Sequence, residues 1–195
     1  MKRARKLITV LLLAFAAGML GPVGAHAQAD DDRAQRDQKL VEIYRKMLRE
    51  DPNQDYALRR LLEVSHAVGG LKGLVELYTK ELEAKPKSFP DWMVLGHIHR
   101  AAEDVDAATA AYAKAAELDK KSPAPHIALA ELHRRVQDWS KALEAYDKAI
   151  PLIRDKVRKQ DTLKAAAEVA LENEEKDRAD GYFEQLIKTE PRNLF

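Results

Sequence analysis

Histidines, paired acids, serines and glycines are the residues from which chemistry would be built, and their spacing in this chain argues against it. Of six histidines, His66 and His97, with Glu63 close in sequence to His66, offer the nitrogen and oxygen donors that a divalent metal takes. Yet the chain contains no His-Glu-x-x-His motif and no histidine pair at i, i+4, so no metal ligand is assigned. Gly69-Gly70 and Gly73 lack the Lys-Ser/Thr that completes a phosphate-binding loop. Ser65 and Ser140 lack the strand-to-helix elbow of a hydrolase nucleophile. Glu174-Glu175 reads as a solvated turn rather than a general acid–base pair, which needs a cleft to separate two pKa values. Lys156-Val157-Arg158-Lys159, with Arg154 nearby, is the one basic cluster and reads as a linker. The expectation is a protein with no catalytic residue, no metal and no cofactor.

The composition agrees with a helical domain. The 195 residues are 46% hydrophobic, 33% charged and 6% aromatic, within the range of ordinary folded domains. The net charge of +1 rests on Lys2, Arg3, Arg5 and Lys6; without them 29 Lys+Arg face 32 Asp+Glu, leaving −3 and no footprint for nucleic acid. Residues 1–27 place a basic start before an apolar run, Leu7 to Leu20, and small residues at Ala25-His26-Ala27. This is the order of a Sec-type signal peptide, cleaved after Ala27, which predicts export, a periplasmic location and no stable membrane insertion after cleavage. The chain has no cysteine, which excludes disulfides and lipid attachment at a thiol.

The elements repeat. Tyr44, Tyr78, Tyr112 and Tyr146 stand 34 residues apart, and Lys46, Lys80, Lys114 and Lys148 form a second ladder two residues on. An acidic leader and capping helix are expected over 28–54, where Leu40, Val41, Tyr44, Met47 and Leu48 make one helical stripe that Pro52 ends. Repeats follow at 55–88, 89–122 and 123–156. An irregular junction is expected at 157–159, after a three-residue slip of register and the helix-breaking Pro151. A fourth repeat covers 160–193, and 194–195 form the C-terminal end. In the first repeat Leu62 and Leu74 occupy positions where the others carry small residues such as Gly96, Ala108, Ala130 and Ala142, so its helix pair should be wider.

Trp92, Leu95-Gly96, Ala108, Tyr112 and Ala115, together with their equivalents in the other repeats, resemble the tetratricopeptide (TPR) family over most of the chain beyond the leader. The resemblance implies an all-α, right-handed superhelical solenoid of antiparallel helix pairs, whose first helices line a concave groove for a peptide or partner helix. Carried onto this chain, the groove positions are Arg59, Glu63, His66, Met93, His97, Arg100, Ile127, Glu131, Arg134, Lys164 and Glu168. Glu63 and Val94 stand where one TPR branch uses Asn to clamp a C-terminal carboxylate, so a ligand with acidic and apolar residues is expected instead. The functional expectation is a non-catalytic protein–protein adaptor. The alternative is a structural assembly subunit, joined to a larger complex or to a second copy through Phe183, Leu186 and Phe195 of the last repeat.

Overall fold

A computed structural model describes the backbone of residues 23–189 and the side chains of residues 32–189. The expected signal peptide therefore lies outside the described residues except for the backbone of 23–27, and Phe195 with the end at 194–195 lies outside them entirely. Among the described residues nine α-helices follow one another: α1 (Val23–Glu50), α2 (Asp55–Glu63), α3 (Gly70–Ala84), α4 (Phe89–Ala101), α5 (Val105–Leu118), α6 (Ala124–Arg135), α7 (Trp139–Ala149), α8 (Lys156–Glu172) and α9 (Lys176–Thr189). Helices α4/α5, α6/α7 and α8/α9 pack along their lengths as pairs, and each pair rests on the next through α5 on α6 and α7 on α8. This is an all-α TPR solenoid.

Local signals explain the breaks. Asp104, Asp138 and Asp155 cap α5, α7 and α8 by accepting from the backbone N–H of Ala107, Lys141 and Arg158 at 3.1, 3.4 and 2.7 Å. The turn inside each pair passes through a left-handed residue: Gly69, Glu103, Gln137 and Glu174, with φ of 89°, 61°, 59° and 59°. Their spacing of 34, 34 and 37 residues carries the expected slip of three. Pro151 has the predicted effect at a different place from the expected junction. Lacking an N–H and bringing a ring against the preceding turn, it ends α7 at Ala149 and converts Ile150–Leu152 to a 3-10 turn. The irregular stretch is therefore 150–155, whereas residues 157–159 lie inside the first turn of α8.

The first repeat departs most. Leu74 is fully buried and Leu62 half-buried, and α2 packs on α1 instead of lying along α3. It gives way to a 3-10 turn, Ser65–Val68, which contacts α3 in its place. Helix α1 fills the widened space: Val41, Tyr44 and Leu48 join Leu61, Leu74, Tyr78, Leu82 and Ile98 in one core cluster. Arg45, 3% exposed, ties the helices together by pairing with Glu81 of α3 and lying 5.2 Å over the Tyr78 ring. Asp30–Asp32 forms part of α1 rather than a separate leader.

Candidate functional site

On the first helices Glu63, His97, Glu131 and Glu168 recur at intervals of 34, 34 and 37 residues. The tyrosine ladder holds the middle two of these, His97 and Glu131. Tyr112 is fully buried, and its hydroxyl lies 2.8 Å from Nδ1 of His97. Tyr146, equally buried, donates to Oε1 of Glu131 at 2.6 Å. In both cases the tyrosine stands 15 residues after its groove residue. Gly96 makes the first contact feasible, because a Cβ there would overlap the edge of the Tyr112 ring. Burial pushes the Tyr112 hydroxyl up to about 12, so the side chain stays neutral.

His97 is a groove residue of a different kind from the one expected. It is only 6% exposed, and burial, assisted by the charge of Arg100 and weakly opposed by the Pro52 carbonyl, pushes its imidazole down to about 3. It is therefore neutral at physiological pH. Met93 is not a groove residue: it is 0% exposed, packed with Ala108, Tyr112, Ala124 and Ala128 between pairs. Its apolar side chain takes the buried flank of α4, one turn before His97.

The shifted α2 lines two clefts beside α4 and α6. Asn53, Asp55 and Leu58 share a 220 Å³ cleft with His97 and Arg100 of α4, Ile127 and Glu131 of α6 and Arg158 of α8. A neighbouring 350 Å³ cleft joins Leu58 and Leu62 to Arg100, Glu131 and Arg135. Arg100 lines both and makes no ion pair among the described residues. Asn53, Leu58, Leu62, Arg135 and Arg158 had no place in the expected groove. The 34-residue register assigns α2 to a standard position, and Arg158 follows a proline break that the register cannot place.

The remaining groove residues divide by partner. Glu63 pairs with Arg60, and His66 is held by Asp37 of α1 at 2.9 Å, with its other ring nitrogen 3.2 Å from the Glu63 carbonyl. His66 and His97 thus face separate partners, and among the described residues no group of three metal-ligating side chains forms. Arg59 is exposed. Arg134 links Glu131 at 3.7 Å to Glu168 at 3.6 Å, and Lys164 lies 3.8 Å from Asp161. At the last repeat Phe183 is 39% exposed and Leu186 half-buried; Ile187, 64% exposed, belongs to the same helix and was not expected. No helix of the described residues is long and apolar enough to cross a membrane.

Comparison with known proteins adds a family. The profile described as cytochrome c-type biogenesis protein H TPR domain matches residues 77–194, more than half of the chain. The match begins inside α3, within the second half of the irregular first repeat. Nothing among curated proteins matches. Among solved structures, a crystal structure of MamA superposes with a TM-score of 0.56 at 20% identity, covering 86% of this chain and 94% of that one. A second MamA crystal structure gives 0.56 at 20%, covering 81% and 86%. A MamA RS-1 double mutant gives 0.54 at 14%, covering 84% and 93%. At these identities the likeness concerns the fold.

Proposed function

The chain belongs to the cytochrome c-type biogenesis protein H TPR domain family, and from that premise we propose that it is a non-catalytic adaptor of cytochrome c biogenesis that holds a segment of a protein partner in its concave groove. The supporting observation is the cleft where apolar Leu58 and Ile127 lie beside Arg100 and Arg158, neither of them in an ion pair among the described residues. A segment with apolar side chains and an acidic one satisfies both halves. The groove residues stand on packed helices, so the ligand alone carries the entropy of ordering. We further propose that the N-terminal 27 residues direct the chain through Sec to the periplasm, leaving a mature protein that begins at Gln28.

The test is complementation of cells that lack the chain, read by haem staining of c-type cytochromes together with the amount of this protein present. The expected result is a loss of stained cytochromes that wild type restores and Arg100→Glu does not, at equal protein level. Unchanged cytochromes in the deletion strain would remove the pathway from the proposal, and full restoration by Arg100→Glu would remove the groove. A second reading, assembly through the last repeat, draws support from the exposed Phe183 and Ile187 on α9. Light scattering over a dilution series separates the two. An oligomer that Phe183→Ser with Ile187→Ser dissociates supports assembly, and a concentration-independent monomer supports the groove alone.

A further inference from the structure

A cleft of 430 Å³ lies away from the groove, against the second helices, between α5, α6 and α7. Its origin is legible from the neighbouring repeat. One repeat earlier, the equivalent space is filled by Trp92, whose indole N–H donates to the Pro86 carbonyl at 2.9 Å, and by the buried Leu82. Thirty-four residues on, these positions carry His126 and Ala116. Both replacements are large to small, and both residues line the cleft. One repeat further the space closes again, with Ile150 and Leu163 buried at the corresponding positions.

The cleft has an apolar floor and polar groups without partners. Leu129, Ala113 and Ala145 make the floor. His133, 7% exposed, and the half-buried His126 each leave Nδ1 without a hydrogen bond. Burial lowers the pKa of both, aided at His126 by Lys148; at His133, Lys141 lowers it further while Asp138 and Glu144 oppose. Both Nδ1 atoms are shut off from solvent, so the rest of each imidazole, not Nδ1, lines the cleft and offers a ligand a flat packing surface. On the rim, Glu117 is paired with Lys114 at 2.8 Å and Lys141 with Asp138 at 2.7 Å. Lys120 and Lys148 make no ion pair among the described residues, and Glu144 is the acid that faces them.

We propose that this cleft is a second docking site, which takes a tryptophan or tyrosine side chain from a segment of a partner protein that carries an acidic residue beside the aromatic one. The ring occupies the place that Trp92 fills one repeat earlier and packs against the His126 and His133 imidazoles, and the acid meets Lys120 and Lys148. A large aromatic side chain buried in a pocket beside a matched charge is the kind of contact that dominates binding at protein interfaces.

The experiment titrates the full chain with acetyl-Glu-Trp-Glu-amide and with acetyl-Glu-Ala-Glu-amide while following the histidine ring resonances. The tryptophan peptide should move His126 and His133 and leave His97 unchanged; the alanine peptide should move none. Ala116→Leu with His126→Trp, which restores the residues of the preceding repeat, should weaken the tryptophan peptide by roughly tenfold or more. Lys148→Glu, at an exposed position, should weaken it without touching the packing. The proposal is overturned if His126 and His133 do not move, if both peptides act alike, or if the peptide's affinity is the same for wild type and for both variants.

Discussion

Gly96→Ala should destabilise this protein, although alanine is the better helix former. In an open helix interior the change is worth about 1 kcal/mol in favour of alanine. At position 96 the new Cβ meets Cε1, Cδ1 and Cζ of Tyr112. That ring is 0% exposed, and its hydroxyl is anchored on His97, so it has no free direction in which to swing. Overpacking of this kind costs about 1–3 kcal/mol, and the depth of the overlap points to the upper part of that range. The net loss is then about 1–2 kcal/mol, a fall of about 2–8 °C in Tm for a domain of this size. Gly181 on α9, where an added Cβ would meet nothing within 4 Å, supplies the control. Gly181→Ala should gain about 0.5–1 kcal/mol. The assay is thermal unfolding followed by circular dichroism at 222 nm, with both variants repeated in a Tyr112→Leu background that withdraws the ring edge. A Gly96→Ala protein as stable as wild type would refute the reasoning. So would a loss of undiminished size in the Tyr112→Leu background, because the cost would then have a source other than the ring.

His97 makes stability depend on pH. Its folded pKa of about 3 lies below the ordinary 6.5, so between these values the unfolded chain binds the extra proton and stability falls as pH is lowered; His97→Asn should flatten urea midpoints measured from pH 7 to 4. Glu81→Ala should cost about 1–3 kcal/mol by leaving the buried Arg45 with the exposed Glu42 as its remaining partner. Arg45→Met should cost less, since Glu81 keeps Arg49 at 2.9 Å; denaturant unfolding of the two variants gives the order. Tyr146→Phe should lose about 0.5–1.5 kcal/mol by removing the hydrogen bond to Glu131, read from denaturant unfolding. Asp104→Ala and Asp138→Ala each remove a helix cap and should each lower stability by about 1 kcal/mol, measurable as faster amide exchange in the first turns of α5 and α7.

Much of the solenoid was legible because its signals are local. Pro52 and Pro86 follow helices, Asp104 and Asp138 precede them, and the tyrosine ladder keeps a fixed distance from each turn. Each of these acts on backbone within a few residues of itself, so a repeating sequence repeats the structure. The slip of three after Pro151 was readable for the same reason, though which residues would leave the helix was not. Proline disfavours a helix running through its own position but does not say where the next helix resumes, and the break fell at 150–155 instead of 157–159.

The groove was legible as a row of positions and not as a surface. Arg100, Ile127 and Glu131 line one cleft, whereas Met93 turned inward and His97 is almost wholly buried. Leu62 and Leu74 announced that the first pair would be wide. Where the displaced α2 would settle depended on α1 filling the gap with Tyr44, Leu48 and Arg45. By itself the sequence determined the helices, most of their turns and the pairing of the last three repeats, since period, proline, glycine and capping act through neighbouring backbone. Only the tertiary structure decided which groove residues stay exposed and that Arg158 meets Asn53 and Arg100 in one cleft, because burial and charge are set by side chains that the chain brings together from distant positions.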